Sequence, residues 1–109
     1  MSYDHLAAAD AVAVLAREHA ARVDAKAEFP KHSIDAAREH GLFGLISSAE
    51  VGGRGLGLRQ AAEVIERLAR ECGSTAMIMT MHYSGAAVVE KYGSAQTRRA
   101  IASGQHLST

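Results

Sequence analysis

Much that usually marks a functional site is scarce in this sequence. There is no tryptophan, a single proline, Pro30, and a single cysteine, Cys72. One cysteine excludes an intrachain disulfide and a thiolate cage for zinc, and it makes a reducing cytoplasm the expected location. Neither sign of charge dominates, since twelve Lys and Arg balance twelve Asp and Glu. That balance argues against nucleic acid and anionic membrane surfaces as main partners. The N-terminal MSYDHLAAAD has no basic stretch followed by an apolar one, so it does not read as a secretory signal. A membrane span, which needs roughly 20 predominantly apolar residues, is missing too. The uncharged window Cys72 to Val89 is broken by Gly73, Ser74, Thr75, Thr80, His82, Ser84 and Gly85. No internal repeat or low-complexity tract stands out.

Alanine is plentiful, and this composition favours helices over strands. A chain of 109 residues suits one domain with a modest core. Its organising stretch is Thr75 to Tyr92. Met77, Ile78, Met79, Met81, Ala86, Ala87, Val88 and Val89 spread around the whole helical circumference there, and a helix apolar all round must be covered on most sides. The expected fold is therefore all-α: an orthogonal or up-down bundle of about five helices around this buried central one.

The other segments are read in order. Tyr3 to Ala27 is a helix capped by Ser2 or Asp4, with Leu6, Val12, Leu15, Ala16, His19 and Val23 inward and Arg17, Glu18, Arg22 and Asp24 outward. Phe29-Pro30 ends it. Pro30 then suits the first turn of a helix running to His40, with Ile34 and Ala37 inward and Gly41 as its C-terminal glycine. Leu42 to Gly57 carries five glycines yet stays apolar, so it is a packed connection; a short strand at Leu45–Ser47 is allowed but has no evident partner. Positive φ is expected for at least one of Gly52, Gly53 and Gly55. Leu58 to Cys72 is an amphipathic helix with Ala61, Ile65, Leu68, Ala69 and Cys72 as its stripe and ion pairs Glu63–Arg67 and Glu66–Arg70. Gly73 stops it and Ser74 caps the central helix. Gly93 and Ser94 separate that helix from a last one, Ala95 to Ala102, and Gln105 to Thr109 follows.

No catalytic constellation is visible. GGRGLG fails the dinucleotide spacing, because Leu58 stands where the third glycine is needed, and no Gly-Lys-Ser/Thr makes it a Walker loop. It reads as a structural turn. None of the six histidines forms HExxH, and His82 reads as a buried, hydrogen-bonded residue. Ser74 and Ser84 lack a nucleophile elbow. Cys72 reads as a small core residue. No metal site is expected.

The order of punctuation is nevertheless familiar. Phe29-Pro30, then Gly41-Leu42-x-Gly44-Leu45, then Glu50-Val51-Gly52-Gly53-x-Gly55 resemble the N-terminal helical domain of acyl-CoA dehydrogenases. The likeness continues through the Leu58–Cys72 helix, Ser74-Thr75-Ala76, His82, Gly85, Tyr92-Gly93 and Gly104, covering about Phe29 to Thr109. Ser48 departs from the family's usual proline, and Ala100-Ile101 from its bulkier last helix.

The resemblance implies an FAD enzyme that desaturates an acyl-CoA thioester: a carboxylate removes the α proton and the flavin takes the β hydrogen as hydride. It implies electron-transferring flavoprotein or a similar acceptor as partner, and a homo-oligomer at full length. Residues 1–109 would be one helical domain, with the family's β domain and C-terminal bundle absent. The flavin motif and the catalytic glutamate belong to those parts. No catalytic role is therefore transferred to Glu50, Glu63 or Glu90, and the chain alone is expected neither to hold FAD tightly nor to turn over substrate. This domain's expected contribution is one wall of the acyl tunnel: Met77, Thr80, Met81 and Ser84, at i, i+3, i+4 and i+7 of one helix side. The competing reading packs Met77 and Met81 against the Leu58–Cys72 helix. Two other functions fit the same residues, a flavin-dependent monooxygenase of the same fold and a non-enzymatic helical interaction module. The residues beyond Thr109 discriminate the enzymes.

Overall fold

A computed structural model describes residues 3–26, 29–105 and 107. Among these are five α-helices and no strand: α1 (His5–Lys26), α2 (Lys31–Glu39), α3 (Leu58–Ala69), α4 (Gly73–Tyr92) and α5 (Ala95–Ala102). Two 3₁₀ turns, Leu42–Gly44 and Ala49–Val51, interrupt the connection between α2 and α3. Ser2, Ala27, His106 and the last two residues lie outside the described residues, as do the side chains of Asp24 and Lys26.

The Asp4 carboxylate caps α1 by accepting the Leu6 and Ala7 N–H groups, both at 3.0 Å. The buried face of α1 is built mostly from alanine: Ala8, Ala9, Ala13 and Ala16, with Val12 and Val23. Small residues let α2 and α3 approach closely. Spacing of large residues put Leu6 inward, but it is exposed and lies over Glu63, Glu66, Arg67 and Arg70. Pro30 sits one position earlier than expected. It precedes α2 with φ −77° and ψ 66°, and its carbonyl still accepts the Ile34 N–H at 3.1 Å. Ile34 and Ala37 are buried as expected, together with Ser33 and Ala36. Gly41 follows in the left-handed region at φ 80°.

The optional strand at Leu45–Ser47 does not form. Leu45 and Ser47 bond their N–H groups locally, to the Leu42 and Gly44 carbonyls, so no ladder is left to build. Their carbonyls accept from Leu56 and Gly55 instead, which folds the glycine-rich segment back on the first turn. Leu42, Phe43 and Leu45 are fully buried there. Gly52 and Gly55 take φ 91° and 67°, the left-handed conformations the sequence required. Gly53 has another reason: a Cβ there would strike the Ser47 backbone.

α3 ends at Ala69, short of the expected Cys72. Arg70 and Glu71 turn, and Cys72 is extended at φ −154° with its carbonyl accepting the Ala76 N–H at 3.1 Å. Cys72 is thus the capping position of α4, Gly73 is its first residue, and Ser74 does not cap it. The buried stripe of α3 is Ala61, Val64 and Leu68, while Ala69 is exposed one step round the helix. Glu66–Arg70 forms at 3.2 Å, but Glu63–Arg67 does not. Arg67 reaches Asp10 of α1 at 2.7 Å and Glu71 at 3.2 Å, and Glu63 faces His5.

α4 packs on α3, α5, α1 and the first 3₁₀ turn. Thr75, Ala76, Met79, His82, Tyr83 and Ala86 are buried. Its other side is open, so these residues cover α4 along one face only. Ser94 caps α5 by accepting the Thr97 N–H at 3.2 Å. Glu90 ties α4 to α5 and to the loop: it accepts from Arg98 at 2.6 Å and from the Ser48 N–H at 3.1 Å. The Arg98 contact holds the Glu90 carboxyl below its ordinary range.

Candidate functional site

The four residues placed on one face by their spacing do share a face, and it is the open one. Met77 is 66% exposed and Met81 52%, with Thr80 and Ser84 exposed between and beyond them. Val88 continues the stripe. The packing of Met77 and Met81 into the core against α3 is therefore not what these residues do.

Beside this face, α3 and α4 enclose a groove of about 510 Å³. Leu58, Ala61, Ala62, Ile65 and Glu66 line it from α3, and Thr80, Tyr83, Ser84 and Ala87 from α4. Thr80 and Ser84 line the groove, whereas Met77 and Met81 are exposed on α4 and do not line it. The additional lining residues follow a rule visible in the sequence: 58, 61, 62, 65 and 80, 83, 84, 87 are both i, i+3, i+4, i+7 sets. What the sequence did not show is that these two faces meet.

The hydroxyls of the groove are turned back into the protein. Thr80 donates its hydroxyl proton to the Ala76 carbonyl at 2.8 Å, and Ser84 donates to the Thr80 carbonyl at 3.0 Å. Each oxygen can still accept but has spent its donor. The Tyr83 hydroxyl donates to the Leu42 carbonyl at 2.8 Å, and burial pushes its pKa up. The result is a concave wall that is mostly apolar, with the exposed Glu66 carboxylate, paired with Arg70, as its one charged group, a lining suited to an apolar tail.

His82 lies on the opposite, buried side. Its Nε2 is 2.7 Å from the Phe43 carbonyl, and because a carbonyl only accepts, Nε2 carries the proton. Its ring packs against that of Phe43 at 4.7 Å. This is the structural role read from the sequence. Cys72 is buried, and no group of three His, Cys, Asp or Glu among the described residues could hold a metal.

The glycine-rich loop has no phosphate cradle to offer. The N–H groups of Gly52, Gly53, Arg54, Gly55 and Leu56 are all taken by backbone carbonyls, and that of Gly57 by the Gln60 side chain. A second cavity, of about 360 Å³, lies where α1 meets the start of α2. His19 and His32 stack there at 4.1 Å, and Ser33 is bonded to the Pro30 carbonyl and to Thr75. No nucleophile and base are paired in it. No helix among the described residues is long and apolar enough to cross a membrane.

Comparison with known proteins bears on the family and the fold. A family model described as acyl-CoA dehydrogenase, N-terminal domain, matches residues 3–104. The chain is 36% identical over 77 residues to 3-sulfinopropanoyl-CoA desulfinase of Paraburkholderia xenovorans (strain LB400), covering 70% of this chain and 20% of that protein. It is 30% identical over 83 residues to the mitochondrial isobutyryl-CoA dehydrogenase of Bos taurus, covering 76% and 20%. It is 27% identical over 81 residues to the short-chain specific acyl-CoA dehydrogenase of Clostridium acetobutylicum, covering 73% and 21%. The chain thus spans about a fifth of the curated relatives it matches. No solved structure matches significantly.

Proposed function

The chain belongs to the acyl-CoA dehydrogenase family, matching its N-terminal domain, and we propose that it forms the acyl-chain wall of a flavin-dependent enzyme that desaturates acyl-CoA thioesters. The observation that carries this reading is the open face of α4. Met77, Met81 and Val88 are large apolar side chains left in solvent beside an apolar groove, and such a surface marks a binding site. Thr80 and Ser84 support it by donating inward, so the face can meet methylenes without stranding a hydroxyl proton.

The redox chemistry of such an enzyme is supplied by FAD, for which these residues do not fit as holders. The loop N–H groups that could meet a pyrophosphate are occupied, and the one carboxylate lining the groove, Glu66, is paired with Arg70 at 3.2 Å. The residues described here orient and desolvate the tail. An electron-transferring flavoprotein or similar acceptor, and a homo-oligomer, belong to the same proposal.

The test is Met81→Trp in the full-length protein. Each methylene denied burial forfeits about 0.8 kcal/mol, so losing two weakens the longest substrates by roughly tenfold or more. Substrates too short to reach α4 keep their kcat/KM. A fall of equal size at every chain length would overturn the assignment of this face.

A further inference from the structure

Sulfur occurs among the described residues in Cys72, Met77, Met79 and Met81. Cys72 and Met79 are shut away, since both are buried in the fold. Met77 and Met81 are the exposed pair on the open face of α4, one helical turn apart and roughly 5–6 Å from Cβ to Cβ. A methionine in solvent is open to oxidation at sulfur, whereas one packed in a core is shielded until the fold opens.

The surroundings of the pair decide what an added oxygen would do there. A sulfoxide oxygen is a strong acceptor with no proton of its own. Thr80 and Ser84 share the face, but their hydroxyl protons go to the Ala76 and Thr80 carbonyls. Lys91, the only Lys or Arg on α4, stands at its far end, and His82 is turned inward to the Phe43 carbonyl. An oxygen at Met77 or Met81 therefore meets no cation on its stretch of α4 and no proton from either hydroxyl of the face, and it keeps its water.

We infer that Met77 and Met81 form an oxidation site through which a hydroperoxide closes this face to long acyl chains; this rests on the acyl-wall reading above. The step moves one oxygen atom and two electrons. The sulfur lone pair attacks one oxygen of hydrogen peroxide, and the O–O bond breaks as the S–O bond forms. The departing hydroxide takes the proton of the transferred oxygen and leaves as water. Peroxide is reduced, the methionine sulfur is oxidised to the sulfoxide, and an apolar side chain becomes a polar one. A tail lying along the face must then strip water from acceptors that gain no partner in exchange. Methionine sulfoxide reductases return the sulfur to its starting state, so the closure is reversible.

The experiment treats the full-length, FAD-loaded protein with hydrogen peroxide, alone and with a non-reactive alkyl-CoA thioether bound. Trypsin places Met77, Met79 and Met81 on one peptide, Glu71 to Lys91, whose fragmentation reads each sulfur separately. Met77 and Met81 should oxidise at least about tenfold faster than Met79, and bound ligand should slow both. Calorimetry with alkyl-CoA thioethers of increasing length should then show the longest binding about tenfold or more weaker and the shortest unchanged. Methionine sulfoxide reductases A and B together should restore the loss. In the double variant Met77→Leu, Met81→Leu, whatever its starting affinities, peroxide should not change them. Oxidation of Met79 at the same rate, or survival of both Met77 and Met81 in the ligand-free protein, overturns the inference and leaves the wall reading standing. A peroxide-induced loss of affinity that persists in the double variant does the same. If Met77 and Met81 oxidise fully, bound ligand never slows them and no chain length loses affinity, the wall reading itself is wrong.

Discussion

His82 and Tyr83 are adjacent in sequence, and each holds one carbonyl of the connection before α3. His82 takes that of Phe43 and Tyr83 that of Leu42. Tyr83→Phe keeps the ring but takes away one of the two donors to the buried Leu42 carbonyl, leaving the Leu45 N–H, so it should cost about 0.5–1.5 kcal/mol in urea unfolding. An unchanged midpoint would mean that the hydroxyl contributes nothing. The burial of His82 was legible from its lone place in an apolar helix, but the partner of Tyr83 was not, because nothing local says which turn faces it. Ion pairs show the same limit: Glu63 and Arg67 satisfy the helical spacing rule, yet each finds a partner on another element. Glu71 is the acidic residue most affected by such partners. The Arg17 guanidinium, assisted by Arg67, lowers its carboxyl from 4.5 to about 2. A depressed pKa in the fold contributes stability above the unfolded value that is lost as pH falls toward about 2. Glu71→Gln should therefore melt below the wild type near neutral pH, with the two melting temperatures converging between pH 4.5 and about 2. Parallel curves through that window would show that the pair does not couple to folding.

At the scale of elements, helix existence was readable and helix ends were less so. Periodicity carried α3 through Cys72, but the chain turns at Arg70 and Glu71, and Gly73 begins α4 where it was read as a stop. Glycine marks a place where the backbone has latitude without saying how it is used. Gly44 and Gly52 make the distinction testable. A Cβ on Gly44 would lie 2.5 Å from the Ala102 carbonyl of α5, whereas one on Gly52 meets nothing within 4 Å and only strains φ at 91°. Gly44→Ala should cost about 1–3 kcal/mol by overpacking and raise amide exchange selectively along α5. Gly52→Ala should cost about 1–2 kcal/mol and leave α5 exchange unchanged. Equal protection of α5 in both variants would show that close packing at Gly44 does not hold that helix.

Taken whole, the molecule is a helical bundle with one apolar face left open. The sequence pointed to cover on most sides of Thr75–Tyr92, and these residues supply it on one side only, with Met77, Met81 and Val88 exposed on the other. The all-α architecture was legible from composition and periodicity. The groove was not, because it arises where α3 and α4 meet and belongs to neither alone. Since Met81 is exposed, Met81→Trp should alter the stability of the chain by less than about 0.5 kcal/mol, and a large drop in melting temperature would return Met81 to the core. The most direct measurement is photolabelling of the full-length, FAD-loaded protein with an acyl-CoA bearing a diazirine at the end of its tail, followed by mass spectrometry of tryptic peptides. Adducts should concentrate on the peptide Glu71 to Lys91, at Met77, Thr80, Met81 or Ser84, and be competed away by unlabelled acyl-CoA. Competable adducts confined to other parts of the protein, with none on this peptide, would contradict the assignment of α4 as the acyl-chain wall.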